Sequence, residues 1–254
     1  MDLFNVEGKF AIVIGCGSIG TAISAGLARG GAELIICDIS TKNAERALSA
    51  VRQAGAKAHV HIVDINTLTA VKDLFVSAKQ IFPRLDILVN AAGINKGAPA
   101  LEMQEPVWNE VMNHFINSVF WCCREAAEWM ISGGEGGKIL NVASMSGVVC
   151  TGDNGSPYAA AKAAVIHLTR YLACEWVKKG VYVNAISPGM VYSDLTSIYF
   201  DGNPGMVAAT EGKIPLGRIG NPGDMVGPAL FLLSGASDYV VGQNLLVDGG
   251  YTLW

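Results

Sequence analysis

Apolar residues along the 254-residue chain fall into short, nearly continuous runs separated by longer stretches of helical character. Residues 10–14 read as a buried strand, and 18–29 as a helix of small residues ending at Gly30-Gly31. A second strand covers 33–38. Ser40 or Thr41 can cap the helix that follows, which runs to Gly55. Strands are expected at 59–64 and 85–90, with a helix between them that starts near 68 and stops before Pro83. Two helices fill about 106–131. A glycine turn at 133–137 leads to a strand at 138–142, and a long helix spans about 157–178, capped near Gly180. A sixth strand lies at 181–186, then an irregular Gly/Pro-punctuated stretch at 190–214, a helix near 222–233 and a last strand at 244–247. Strands apolar on both faces and alternating with helices predict an α/β fold: one doubly wound parallel sheet of about seven strands, covered by helices on both sides. No repeat or linker divides the chain, so 1–254 reads as one domain with a lid-like segment at about 190–214.

Composition narrows the function classes. Half the residues are hydrophobic and only 16% are charged, so a large core can form, and some apolar surface is expected to be covered by partner subunits. A net charge of −4 gives no nucleic-acid patch and no polybasic membrane segment. The N-terminal residues lack a signal-peptide pattern, and no run is long enough to span a bilayer. The six cysteines, Cys16, Cys37, Cys122, Cys123, Cys150 and Cys174, show no metal-ligand or disulfide spacing. They read as small hydrophobes in a reducing cytoplasm, and no metal site is expected.

Two constellations carry chemistry. The first is Gly15-x-Gly17-x-x-Gly20, after a strand and before a helix. The first glycine permits a tight turn, the second lets backbone amides approach a pyrophosphate, and the third lets helix and strand pack closely. The Ser18 and Ile19 amides open the helix toward that anion. Asp38 closes the next strand about 20 residues on, where a carboxylate can bond both ribose hydroxyls of NAD. A 2′-phosphate there would meet a like charge worth roughly 4 kcal/mol at about 4 Å and an effective dielectric of 20, so NAD is preferred to NADP. Lys42 is the nearby base that could reverse that preference.

The second constellation is Ser144 with Tyr158 and Lys162. Tyr158 and Lys162 are four residues apart and share a helix face. A lysine ammonium about 5 Å from the phenol would favour the phenolate by about 2 pKa units, giving a base for an alcohol or an acid for a ketone. Ser144 follows a strand and can bond the same substrate oxygen; Ser146 is the fallback for that role.

With these residues in place the chain resembles the short-chain dehydrogenase/reductase family over essentially its whole length. Asn90-Ala91-Ala92-Gly93 resembles that family's turn beside the adenosine ribose, and Asp64-Ile65 its adenine-contacting pair. Asn117 resembles the family's helix-interrupting asparagine, which implies that it holds a water in the proton relay from Lys162. Pro188-Gly189-Met190-Val191-Tyr192-Ser193 resembles the segment that holds the nicotinamide carboxamide, with Ser193 in place of a threonine. Ile214–Arg218 and Val247–Gly250 resemble C-terminal landmarks. One departure stands out: the glycine loop is one residue shorter than the family's, with Ile14 where a threonine is expected. A loop of weakened cofactor affinity is the rival reading of that change.

The resemblance implies hydride transfer between NAD(H) and a secondary alcohol or ketone. It also implies a homotetramer, or failing that a dimer, built on helices bearing Trp108, Trp121, Trp129 and Trp176. Local wording around 141–147 and 164–170 resembles polyol dehydrogenases and ketose reductases. A polar wall of Asn95, Lys96, Ser146, Asp153 and Asn154, with Met190 and Tyr192 beside it, suits a polyhydroxylated substrate, since each buried hydroxyl needs a partner. Against it, Leu195, Ile198, Tyr199, Phe200 and Met206 in the lid could cover a hydroxysteroid or a cyclic ketone. A nucleotide-binding protein without turnover and an acyl-thioester reductase are the weaker alternatives. His59, His61, His114 and His167 are read as structural.

Overall fold

The computed structural model describes residues 3–152 and 155–253. Seven parallel strands form one sheet: β1 (Phe10–Ile14), β2 (Glu33–Asp38), β3 (Ala58–Ile62), β4 (Ile87–Asn90), β5 (Gly137–Val142), β6 (Val181–Pro188) and β7 (Asn244–Val247). Their order across the sheet is β3-β2-β1-β4-β5-β6-β7. The connections are helical: α1 (Ser18–Arg29), α2 (Thr41–Gln53), α3 (Leu68–Ala78), α4 (Glu105–Met112), α5 (Ser118–Ser132) and α6 (Ser156–Trp176). The last crossover, from β6 to β7, carries α7 (Ser197–Phe200), α8 (Pro204–Glu211) and α9 (Val226–Leu233).

Alternation along each strand splits the core in two. Ile12 and Ile14 pack with Leu74, Phe75, Leu88, Trp129 and Ile139 on one face. Ala11 and Val13 pack with Leu27, Ile36, Val89, Leu140 and Leu232 on the other. Because both of their faces are buried, the central strands show no polar alternation, which is why they read as continuous apolar runs.

Observed boundaries lie close to those read from the pattern, with local causes for the differences. β4 starts at Ile87 because the Asp86 carboxylate takes the Phe10 amide at 2.9 Å. Ser40 caps α2 through the Asn43 amide. The stretch at 190–214 is less irregular than expected, since α7 and α8 fold within it. A π-helical turn, Asn113–Asn117, joins α4 to α5.

Strand order reverses between β1 and β4, and at that point the C-terminal strand ends form a crevice. Register lines up Cys37, Ile14, Asn90, Asn141 and Ala185 across the sheet. The residues immediately beyond them are those the sequence singled out.

Candidate active site

The glycine loop leaves β1 with Gly15 at φ +92°, and a Cβ there would fall 2.2 Å from the Ala92 amide nitrogen. A Cβ on Gly20 would fall 1.9 Å from the Gly15 carbonyl oxygen. Both glycines are therefore required by packing alone. Gly17 differs: nothing lies within 4 Å of a Cβ there, so the loop presents bare backbone to open space. Gly17 is also the N-cap of α1 and supplies no side-chain acceptor. The first amides of α1, at Ser18, Ile19 and Gly20, have no partners within the helix, and they converge with the helix dipole on that space. This is a cradle for a pyrophosphate, and the residues present fit a dinucleotide cofactor.

Asp38 is almost fully buried. One carboxylate oxygen accepts from the Cys16 amide at 2.6 Å and the other from the Ser40 amide at 2.7 Å. It thus pins the glycine loop as well as standing at the ribose end of the crevice. The sequence reading missed Arg46, one turn and a half into α2. Its guanidinium donates to the Cys16 carbonyl at 3.0 Å and pairs with both Asp194 oxygens at 3.0 and 2.7 Å. The Asp194 amide in turn donates to the Ser18 hydroxyl at 3.0 Å. The pairing holds the Arg46 cation above its ordinary range and the Asp194 carboxyl below its own. No local sequence signal marks Arg46, because its partners come from the glycine loop after β1 and the segment after β6. Lys42 is exposed.

Other predicted cofactor residues occupy the same edge. Asn90 is buried and donates to the Asn141 side chain at 2.9 Å, which continues to Thr169 at 3.0 Å; it ties β4 to β5 and α6. The Ala91 amide bonds the Ile14 carbonyl. A Cβ on Gly93 would stand 3.3 Å from Leu195. Asp64 accepts from both the amide and the side chain of Asn66, beside buried Ile65. After Pro188, a Cβ on Gly189 would fall 2.6 Å from the Asp248 Cα. Val191 is buried and bridges to Gly220. The Ser193 hydroxyl lies 3.1 Å from the Thr196 hydroxyl, which also accepts from the Ser193 amide at 2.9 Å.

Of the four predicted catalytic residues, three come together. The Ser144 hydroxyl hydrogen-bonds the Tyr158 phenol and accepts from the Ser146 amide at 3.1 Å. Lys162 is buried and donates to the Val142 carbonyl at 2.7 Å. Its Nζ sits 5.7 Å from the centre of the Tyr158 ring.

One expectation needs correction here. The expected net fall in the Tyr158 phenol's pKa does not occur: burial pushes the phenol up, partly offset by Ser144. Burial also pushes the Lys162 ammonium down from 10.5 to about 7. In so dry a site desolvation outweighs the mutual attraction. The Asn117 side chain is exposed and donates to Asn113 at 2.9 Å, while Phe115 takes the inner position. The Phe115 ring, 1% exposed, lies 4.4 Å from Lys162 Nζ and edge-on to Tyr158 at 5.3 Å. The π-helical turn ends at Asn117, and its extra residue sets Phe115 inward and Asn117 outward.

The candidate substrate wall is partly formed. Asn95 donates to the Leu195 carbonyl and the Tyr199 hydroxyl, so the lid is already folded against it. Ser146 faces Thr151 at 3.0 Å. Lys96 is paired with Glu110 at 2.6 Å. The Tyr192 hydroxyl bonds Asp201, its ring stacks on Phe200, and the Met190 carbonyl accepts from Gly220. Asp153 and Asn154 lie outside the described residues.

Comparison with known proteins agrees with this geometry. The family model described as Enoyl-(Acyl carrier protein) reductase matches residues 15–252. A 2-dehydro-3-deoxy-D-gluconate 5-dehydrogenase of Escherichia coli (strain K12) is 36% identical over 99% of this chain and 98% of its own length. A galactitol 2-dehydrogenase (L-tagatose-forming) of Cereibacter sphaeroides is 38% identical over the same shares. The crystal structure of a gluconate 5-dehydrogenase from Burkholderia cenocepacia J2315, in complex with NADP and tartrate, superposes with a TM-score of 0.93 at 31% identity, covering 100% of this chain and 98% of that one. Fold, catalytic geometry and full-length similarity converge, and the chain belongs to the short-chain dehydrogenase/reductase family of oxidoreductases.

Proposed function

We propose that the protein interconverts a secondary hydroxyl and a ketone on a polyol, sugar or sugar acid, with NAD(H) as the redox partner. The observation that carries this reading is the Ser144–Tyr158–Lys162 set, with Ser144 and Lys162 buried and Tyr158 half-buried, placed at the sheet edge beside an open glycine cradle. The cofactor supplies a hydride acceptor or donor at nicotinamide C4. Ser144 and Tyr158 bind the substrate oxygen, Tyr158 takes the hydroxyl proton during oxidation and returns it during reduction, and Lys162 supports the phenolate. Gly15, Gly17, Ser18, Ile19 and Gly20 hold the pyrophosphate. Asp64, Ile65, Asn90, Ala91 and Gly93 line the adenosine side, and Pro188, Gly189, Val191 and Ser193 the nicotinamide side.

Asp38 supports NAD over NADP, since a buried carboxylate at the ribose end repels a 2′-phosphate. The NADP-bound relative and the Arg46 cation weigh on the other side. Titration with NADH and NADPH separately, read by nicotinamide fluorescence, decides the point: tighter NADPH binding would shift the reading to an NADP-linked enzyme using Arg46 or Lys42. Asn95, Ser146 and Thr151, together with sugar-acid and polyol dehydrogenases as relatives, support the substrate class. The exposed apolar lid residues Leu195, Ile198 and Met206 favour a second reading, an apolar ketone or hydroxysteroid. Assaying galactitol, sorbitol, xylitol and gluconate beside cyclic ketones and hydroxysteroids separates the two, and activity confined to the apolar set would overturn the first.

The cysteines described are all free, consistent with a reducing cytoplasmic setting. A homotetramer is expected, and light scattering at micromolar concentration showing a monomer would refute it.

A further inference from the structure

Lys162 has an ammonium with three N–H donors, and the acceptor it meets among the described residues is the Val142 carbonyl. Phe115 covers it with a ring face and offers no hydrogen-bond acceptor through its side chain. The polar side chain next to this pair is His114, whose ring stands edge-on to Phe115 at 5.0 Å.

The tautomer of His114 follows from its neighbours. Asn66 donates its side-chain N–H to Asp64 at 2.7 Å, so its amide oxygen faces the other way, toward His114 Nδ1 at 3.1 Å. An amide oxygen only accepts, so Nδ1 carries the proton. Nε2 is then a lone-pair acceptor, and it is buried with no hydrogen-bond partner among the described residues. Burial and the Lys162 charge keep the imidazole neutral, with its pKa pushed down to about 4 against the weaker pull of Asp64 and Glu110. Asn66 is half-buried and Asp64 and Asn117 are exposed, so the network leads outward.

We propose that His114 Nε2 accepts a hydrogen bond from a water that links Lys162 to solvent, making His114 a positioning residue for proton release. The role rests on the dehydrogenase reading given above. In the oxidative direction one proton leaves the substrate hydroxyl for Tyr158, and one leaves the Tyr158–Lys162 pair for solvent through that water. His114 keeps its own proton on Nδ1 throughout.

The first test needs no substrate. In 15N-histidine-labelled protein near neutral pH, Nε2 of His114 should show the unprotonated signature and Nδ1 the protonated one. Lys162→Met should raise the pH at which His114 titrates above about 4. A proton on Nε2, or a titration indifferent to Lys162→Met, overturns the placement. The second test uses the whole enzyme with NAD+ and galactitol. His114→Leu should lower kcat about five- to tenfold, the worth of one hydrogen bond, with KM unchanged and a larger solvent isotope effect. His114→Gln retains an acceptor and should recover most of the loss, which also controls for misfolding. Unchanged kcat and isotope effect in a folded His114→Leu protein overturn the role. A wild-type protein that oxidises none of the polyols, with the histidine signals as expected, marks failure of the dehydrogenase reading, and the relay role falls with it.

Discussion

Replacing Lys162 with methionine should make the protein more stable while destroying its activity. Lys162 is 5% exposed, and burial lowers its ammonium pKa from 10.5 to about 7. Below about pH 7 the lysine is charged in both folded and unfolded chains, and the folded chain bears the full cost of burying that charge. A fall from 10.5 to about 7 corresponds to roughly 5 kcal/mol. Methionine has similar length and no charge, but it leaves the Val142 carbonyl without its donor, at a cost of about 1–3 kcal/mol. The net gain near pH 6 is therefore roughly 2–4 kcal/mol, or a Tm rise of about 5–15 °C for a chain of this size. The sign reverses with pH. Between about 7 and 10.5 the unfolded lysine binds a proton that the folded one has released, so wild-type stability climbs with pH across that window. The variant lacks this climb, and its advantage should vanish near pH 10. Thermal melts of both proteins from pH 6 to 10, followed by circular dichroism, provide the assay. A variant less stable than wild type at pH 6, or one with the same pH slope, would refute the argument that Lys162 is held against its solvation.

Asn117→Ala should keep at least half of wild-type kcat with galactitol and NAD+, because the Asn117 side chain bonds Asn113 on an exposed face; a loss of about a hundredfold would place that side chain in the relay. Gly15→Ala should fail to fold or lose several kcal/mol in urea melts, since its Cβ would overlap the Ala92 amide at positive φ; a near-normal melt would contradict that packing. Arg46→Ala should leave stability within about 1 kcal/mol, as expected of a largely exposed ion pair, while weakening dinucleotide binding measured by NADH fluorescence through loss of the Cys16 and Asp194 contacts; unchanged binding would confine Arg46 to the surface.

Much of the architecture was legible because the central strands are apolar on both faces and several crossover helices carry a cap or glycine stop. The same is true of Ser144, Tyr158 and Lys162, where an i, i+4 pair on a regular helix needs no knowledge of distant partners. Phe115 shows the limit. The π-helical turn at Asn113–Asn117 sets its ring inward against Lys162, and no local spacing announces that placement. Arg46 and Asp194 were illegible for another reason: they are 148 residues apart in sequence and meet only because α2 and the segment after β6 reach the same glycine loop. His114 was read as packing, and its meaning depends on Asn66 orienting it from beyond β3. The titration of Tyr158 was also misjudged, since charge spacing is visible in sequence and desolvation is not.

The most direct measurement compares wild type with Tyr158→Phe, following NADH formation during oxidation of galactitol and the related polyols, with NADH binding measured on the same samples. The account predicts turnover by the wild type, a loss of kcat of about a thousandfold or more in the variant, and dinucleotide binding changed by less than about threefold. A Tyr158→Phe protein that binds NADH normally and retains more than a few per cent of kcat would contradict the assignment of Tyr158 as the acid–base group.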